Sequence, residues 1–256
     1  MGHTYEKEVL AYCPVCGEAN KIRTTRDDGF SYVFGRACEC TRRKEEEKAK
    51  MDRFYLAKDR QDRCFDSAEM KSWTFENQEG IPEKALHAAQ NYVAEFERML
   101  DSGAGLLLYG PVGTGKTYTA ACICNEVIQN GRTARMTTLP MIIAEMQDQF
   151  SSRNEILQRL NRVDLLVLDD LGAERTSSYM QETMFTVIDQ RLIGRRPLIV
   201  TTNMTLDMLT KPQDMFQRRM FDRILSVCYP VEVAGMSFRR KQTGTFFPEM
   251  KEALEI

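Results

Sequence analysis

Three groups of residues in this sequence have the types and spacing to do chemistry. The first is "GPVGTGKT", Gly110 to Thr117, which fulfils G-x-x-x-x-G-K-[ST]. Glycines at these positions let backbone N–H groups close around phosphate oxygens, and a helix starting at the lysine adds its positive end. The nucleotide-binding segment is read as Gly110, Pro111, Val112, Gly113, Thr114, Gly115, Lys116, Thr117 and Tyr118. Lys116 is expected to reach the β/γ-phosphates of ATP, and the Thr117 hydroxyl to ligate Mg²⁺. The second group is "LLVLDD" with the later "LIVTTN". Asp169, at the end of an apolar run, suits Mg²⁺ coordination, and Asp170 suits orienting or deprotonating an attacking water. Asn203 ends the next apolar run, where its amide is placed to hold that water beside the γ-phosphate.

The third group is Cys13-x-x-Cys16 followed by Cys38-x-Cys40. Two close pairs bring four thiolates onto one tetrahedral Zn²⁺, and Pro14 and Gly17 suit the tight turn this needs. A packed or disulfide-bonded quartet is the alternative. A segment this short with so few core residues requires a staple to fold, which favours the metal. Four thiolates leave no open position, so such a metal folds the module and does not catalyse. Cys64, Cys122, Cys124 and Cys228 read as small core residues.

The elements that must position these groups follow from periodicity. From Leu106 onward, short apolar runs alternate with amphipathic stretches: "LLLYG", "TARMTTL", "DLLVLDD", "PLIVTTN" and "ILSVCYPVEV" as strands, with helices between them. That alternation implies an α/β fold, a parallel sheet covered on both faces. "EKALHAAQNYVAEFERML" reads as one lead-in helix ending near Gly103, and residues 42–63, dense in both signs of charge, as a solvated helix. The expected organisation is a small zinc-binding N-terminal module with its charged helix over 1–65, a linker and lead-in helix over 66–103, and an ATPase core over 104–256.

Bulk composition is that of an ordinary globular protein, with 43% hydrophobic and 28% charged residues over 256 positions. The net charge of -2 provides no global basic field, so a nucleic-acid partner would be met by local patches. No signal peptide and no run of roughly 18 apolar residues is found, so a cytoplasmic protein without a membrane partner is expected.

Gly110–Thr117, "LLVLDD", "TTN", "RRMFDR" and "SFRR", together with "QNYVAEF", "AACICNEV" and "VDLLVLDDLGAE", resemble the AAA+ ATPases. More narrowly they resemble the replicative helicase loaders of the DnaC/DnaI type, from about Trp73 to Arg240. The resemblance implies a P-loop AAA+ core with ATPase activity, slow and stimulated by partner or DNA, and places catalytic roles on Lys116, Asp169, Asp170, Asn203, Arg223 and Arg239. Arg223 matches the arginine finger that reaches a neighbouring subunit's γ-phosphate, with Arg218 and Arg219 as rival choices. Arg239 matches the sensor-2 arginine and Asn203 sensor 1. It implies a homo-oligomer built through the finger. It also implies a helix pair at about 140–162 used on single-stranded DNA, where Phe150 and Tyr179 match DNA-contacting positions; core packing is the other reading of both rings. Most AAA+ proteins carry Asp-Glu where this chain has Asp169-Asp170, which suggests slow turnover or Glu174 as the base. The sixteen residues after Arg240 are fewer than the helical lid of many AAA+ proteins needs.

The expected function is ATP-dependent loading of a hexameric replicative helicase onto single-stranded DNA during DNA replication, with the N-terminal module gripping the helicase. Arg36, Arg42, Arg43 and Lys44 leave DNA contact by that module open. The alternatives are a transposition helper ATPase of the IstB type, or a zinc-bearing DNA-binding protein with a non-hydrolysing nucleotide site.

Overall fold

A computed structural model describes residues 4–78, 80–148, 152–172, 177–211, 214–235, 251 and 254. The chain divides into two compact units, residues 1–56 and 57–256.

The first unit is an antiparallel meander of β1 (Tyr5–Tyr12), β2 (Ala19–Arg26) and β3 (Ser31–Gly35). Its hairpins place Glu8 opposite Arg23 and Thr24 opposite Tyr32. Cys13 and Cys16 lie in the β1–β2 turn, where Gly17 N–H donates to Cys13 C=O at 2.9 Å and Cys13 N–H donates to Glu18 C=O at 2.8 Å. Helix α1 (Glu39–Cys64) begins between the second pair of cysteines.

The second unit is built on a five-stranded parallel sheet of order β5-β6-β7-β4-β8. The strands are β4 (Gly105–Tyr109), β5 (Ala134–Thr138), β6 (Leu165–Asp169), β7 (Leu198–Thr202) and β8 (Cys228–Glu232). Strand periodicity sends alternate side chains to opposite faces. Leu106, Leu108, Met136, Val167 and Ile199 join one core with α2 (Glu83–Ala94), α3 (Phe96–Ser102) and α4 (Lys116–Gln129). Leu107, Leu166, Leu168, Leu198 and Val200 join the other, with α5 (Leu139–Gln147), α6 (Arg153–Arg162), α7 (Ser178–Ile193) and α9 (Met215–Val227). The short α8 spans Leu206–Thr210. A sheet buried on both faces needs apolar side chains at every position, which is why these strands read as continuous runs.

Two elements differ from expectation. The lead-in helix is two helices, broken at Glu95 (φ -101°, ψ 19°), so that Tyr92 and Phe96 both turn into the core with rings 6.0 Å apart. The last strand starts at Cys228, because Ile224 stays on the apolar face of α9 beside Met220 and Phe221. Strand propensity at Ile224–Val227 yields there to packing.

Candidate functional site

The phosphate loop joins β4 to α4. Gly110 has φ 144°, and a side-chain carbon there would stand 2.5 Å from the Val233 carbonyl oxygen. The loop therefore requires glycine where it leaves the sheet beside β8. Gly115, at φ 96°, makes the turn into α4 in the left-handed region. Lys116 is buried, and its Nζ donates to the carbonyls of Gly110 (2.8 Å) and Pro111 (2.6 Å). Thr114 Oγ1 donates to the same Pro111 carbonyl at 3.0 Å. The loop is thus arched over its own lysine, with the α4 N-terminus aimed into the arch.

Register brings the acids to the loop. Leu168 pairs with Val200, so Asp169 lies beside Thr201 at the carboxyl ends of β6 and β7. Asp169 Oδ1 accepts from Thr201 Oγ1 at 2.6 Å and from Thr117 Oγ1 at 3.1 Å. Burial pushes the Asp169 carboxyl above its ordinary value, against the two hydroxyls that favour its charge. A buried carboxylate among hydroxyl donors fits a hard divalent cation, with Asp169 and Thr117 as the residues that would hold Mg²⁺. Asp170 adopts φ 56°, and its backbone N–H donates to Thr201 Oγ1 at 2.8 Å. That turn lifts its carboxylate out of the strand line, where Oδ1 accepts from Asn203 Nδ2 at 2.7 Å. One threonine therefore fixes both acids, and Asn203 orients the second.

Tyr118 of α4 stacks on Trp73, ring centroids 4.9 Å apart, and its hydroxyl donates to the Thr74 carbonyl at 3.0 Å. The connector carrying Trp73 is held by Asn125, whose Nδ2 donates to the carbonyls of Met70 and Trp73 at 2.9 Å each. Asn125 Oδ1 accepts from Gln61 Nε2 at 2.8 Å, which completes its amide. Pattern reading missed both Asn125 and Thr201. Asn125 breaks an otherwise apolar helix face, and Thr201 is a polar residue inside an apolar strand, so each left a visible trace.

Other expected residues are spread wider. Arg223 lies on α9, with its guanidinium 4.4 Å from the Phe185 ring centre and ion-paired to Asp189, both on α7. Arg218 and Arg219 are exposed on the same helix. Tyr179, in the first turn of α7, is 42% exposed and so is not core. Its ring lies 5.6 Å from the Arg153 guanidinium of α6. Phe150, Glu174 and Arg239 lie outside the described residues.

In the first unit the four sulfurs of Cys13, Cys16, Cys38 and Cys40 lie within 4.8 Å of one another. Cys40 Sγ is 3.3 Å from Cys13, 3.1 Å from Cys38 and 3.6 Å from Cys16. Four thiolates bound to one zinc stand roughly 3.8 Å apart, so the donor set fits that ion. The Thr41 hydroxyl, ahead of the Cys40 thiol, holds Cys38 down at about 6, and contact with Cys38 and Cys13 pushes Cys40 up to about 12. Thiols this close release their first protons readily and their last with difficulty, the load a bound cation relieves. Among the described residues no helix is long and apolar enough to cross a membrane.

The chain is similar to known proteins. The chain is 33% identical to the replicative helicase loader DnaC of Escherichia coli K12 over 144 residues, 55% of this chain and 56% of that protein. It is 29% identical to the replicative helicase loader DnaI of Bacillus subtilis 168 over 149 residues, 54% and 48% of the two chains. It thus spans about half the length of the curated relatives it matches. A crystal structure of DnaI superimposes with a TM-score of 0.58 at 27% identity, covering 70% of this chain and 98% of that one. The parallel sheet and phosphate loop are those of the P-loop AAA+ fold. The model of the IstB-like ATP binding protein family matches residues 35–245, and the chain belongs to that family.

Proposed function

We propose that the chain is an ATP-dependent loader of the replicative helicase onto single-stranded DNA. The observation that carries this reading is the coupled acid pair at the phosphate loop, Thr117–Asp169–Thr201 with Asp170–Asn203, in a chain similar to two proteins named replicative helicase loaders.

In this reading the loop N–H groups and Lys116 bind the ATP phosphates, and Lys116 exchanges its two carbonyl partners for phosphate oxygens. Thr117 and Asp169 would hold Mg²⁺, which would supply neutralisation of the phosphate charge. Asp170, aimed by Asn203, orients the attacking water. The shorter acid keeps turnover slow, in line with a nucleotide that switches states more than it powers work. Arg223 leaves Phe185 and Asp189 to complete a neighbouring subunit's site, and Arg239 acts as the second sensor. Tyr179, and Phe150 beyond the described residues, stack on DNA bases, and stacking tolerates any sequence. The zinc-bearing unit grips the hexameric helicase.

The test is co-purification with the cognate replicative helicase, with and without ATP, beside a variant lacking residues 1–56. The cut falls between the compact units, because Cys64 and Phe65 belong to the core of the second. Capture that requires the first unit is the expected result. No capture in any nucleotide state overturns the assignment. A transposition helper of the IstB type is the second reading, favoured by the family model itself; duplex preference with no effect on a helicase would bring it forward. A zinc-bearing DNA-binding protein with a static nucleotide pocket predicts no ATP turnover under any condition.

A further inference from the structure

The first unit carries an aromatic row that the nucleotide reading does not use. Tyr32 and Phe34 stand on one face of β3, and Phe30, just before the strand and bonded through its C=O to the Arg26 N–H at 2.9 Å, leads into the same row. Their ring centres are 6.4 and 6.0 Å apart. All three are exposed, at 60%, 45% and 37%. Arg36 continues the row by two more residues, and its N–H donates to Asn20 C=O at 2.9 Å, which extends the ladder past the end of β3. β3 is an outer strand of its sheet, so the row runs along an edge.

Charge divides between the two faces. Cross-strand partners share a face. Tyr32 pairs with Thr24 and Thr24 with Lys7, while Arg26 pairs with Tyr5, so Lys7 and Arg26 lie on the aromatic side. Glu6 and Glu8 fall at the alternate positions and face the other way, where Glu8 is matched by Arg23 at 2.8 Å. The strand positions on the aromatic face carry cations and no acid; in the adjoining turn Asp28 pairs with Arg26 at 3.1 Å and the Asp27 carboxylate accepts from the Thr4 N–H at 3.4 Å. Protein-docking faces gain aromatic rings and arginine and lose lysine, so Lys7 and the regular spacing of the rings carry the distinction here. A row of evenly spaced rings with Lys7 and Arg36 on the same face meets the demands of an unpaired nucleic-acid strand. The repeat of a strand's same-face side chains, about 6–7 Å, is roughly the span of one nucleotide in an extended chain. Every base has a π-face, and each phosphate needs a cation nearby.

We propose that the Phe30–Tyr32–Phe34 row with Arg36, Lys7 and Arg26 is a stacking platform for single-stranded nucleic acid, separate from the ATPase unit. It takes bases without sequence preference, one per ring, with the backbone along the basic margin. This inference does not depend on helicase loading.

The test uses the full zinc-loaded chain without nucleotide, on a background carrying both Phe150→Ala and Tyr179→Ala so that the ATPase unit's proposed contacts are removed. Anisotropy of a labelled oligothymidine is compared for this protein and for F30A, Y32A and F34A, singly and combined. Each single change is expected to weaken binding about tenfold, and Y32F to leave it unchanged. R36Q is expected to reduce the salt slope by about one counterion. A photoreactive oligothymidine is expected to cross-link within residues 30–36. Zinc content and capture of the replicative helicase are measured on each variant, because the rings are exposed and their removal should disturb neither. Unchanged oligothymidine binding by the zinc-loaded triple variant overturns the platform. Loss of helicase capture with DNA binding intact also overturns it and makes the face a protein-docking surface.

Discussion

The two units of this chain are held together by different means. In residues 57–256, both faces of the sheet are sealed by helices, and side chains such as Leu107, Leu165, Ile188 and Phe221 are fully buried. In residues 1–56, only Cys13, Thr24 and Cys38 are buried among the described residues, and two of these belong to the sulfur quartet. The larger unit thus draws on apolar burial, while the smaller has little of it and leaves aromatic rings in water. A meander of three strands without a core is marginal alone, and a metal held by the quartet would supply what burial does not.

The contrast is tested most severely at the quartet. Combined Cys13→Ser and Cys38→Ser, or a strong chelator, should unfold the first unit alone, since a structural zinc contributes on the order of 10 kcal/mol. Limited proteolysis read by mass spectrometry should show new cuts across residues 4–38 and none across the sheet of the second unit. Protection of residues 4–38 in the variant would break the comparison. Phe221→Ala should do the reverse. It should remove about 3–5 kcal/mol from the second unit in denaturant unfolding, with zinc content unchanged. Asn125→Ala should be milder, costing about 1–3 kcal/mol, because two carbonyls and Gln61 lose their partner. Trp73 is the only tryptophan, so its fluorescence should shift red as the connector loosens. The smallest effect should have the opposite sign. Asp169→Asn keeps an oxygen for Thr117 and Thr201 but removes a charge that burial disfavours. Its melting temperature in chelator should rise slightly, while the further rise on adding ATP and Mg²⁺ should be lost.

The chemistry was legible in the sequence wherever it is local. The phosphate loop needs its glycines, Lys116 and Thr117 within eight residues, and the helix that follows begins at Lys116 as its spacing predicts. The acid strand announced itself through four apolar residues before Asp169. Contacts that depend on register were not legible. Nothing near Thr201 reveals that β6 lies beside β7, which makes it the shared partner of Asp169 and Asp170. The same holds for Arg223, expected from the resemblance to be an arginine finger, whose contacts with Phe185 and Asp189 arise from α7 packing on α9. The first unit's three strands were also not read from sequence, because its aromatic and charged residues face water and produce no buried pattern to follow.

One further residue bears on how the fold has room to change. Arg191, fully buried on α7, donates to the carbonyls of Leu160, Asn161, Val163, Asp164 and Pro197. These carbonyls end α6 and lead into β6 and β7. A single planar fork thus joins three elements that are distant in sequence, and burial lowers its pKa to about 9. Lysine has neither the reach nor the number of donors to replace it. An apolar residue would strand several carbonyls at once. Single substitutions at this position are therefore expected to destabilise the second unit. The exposed residues of α5 and α6 lie outside this constraint, while the junction that Arg191 ties between α6, β6 and β7 does not.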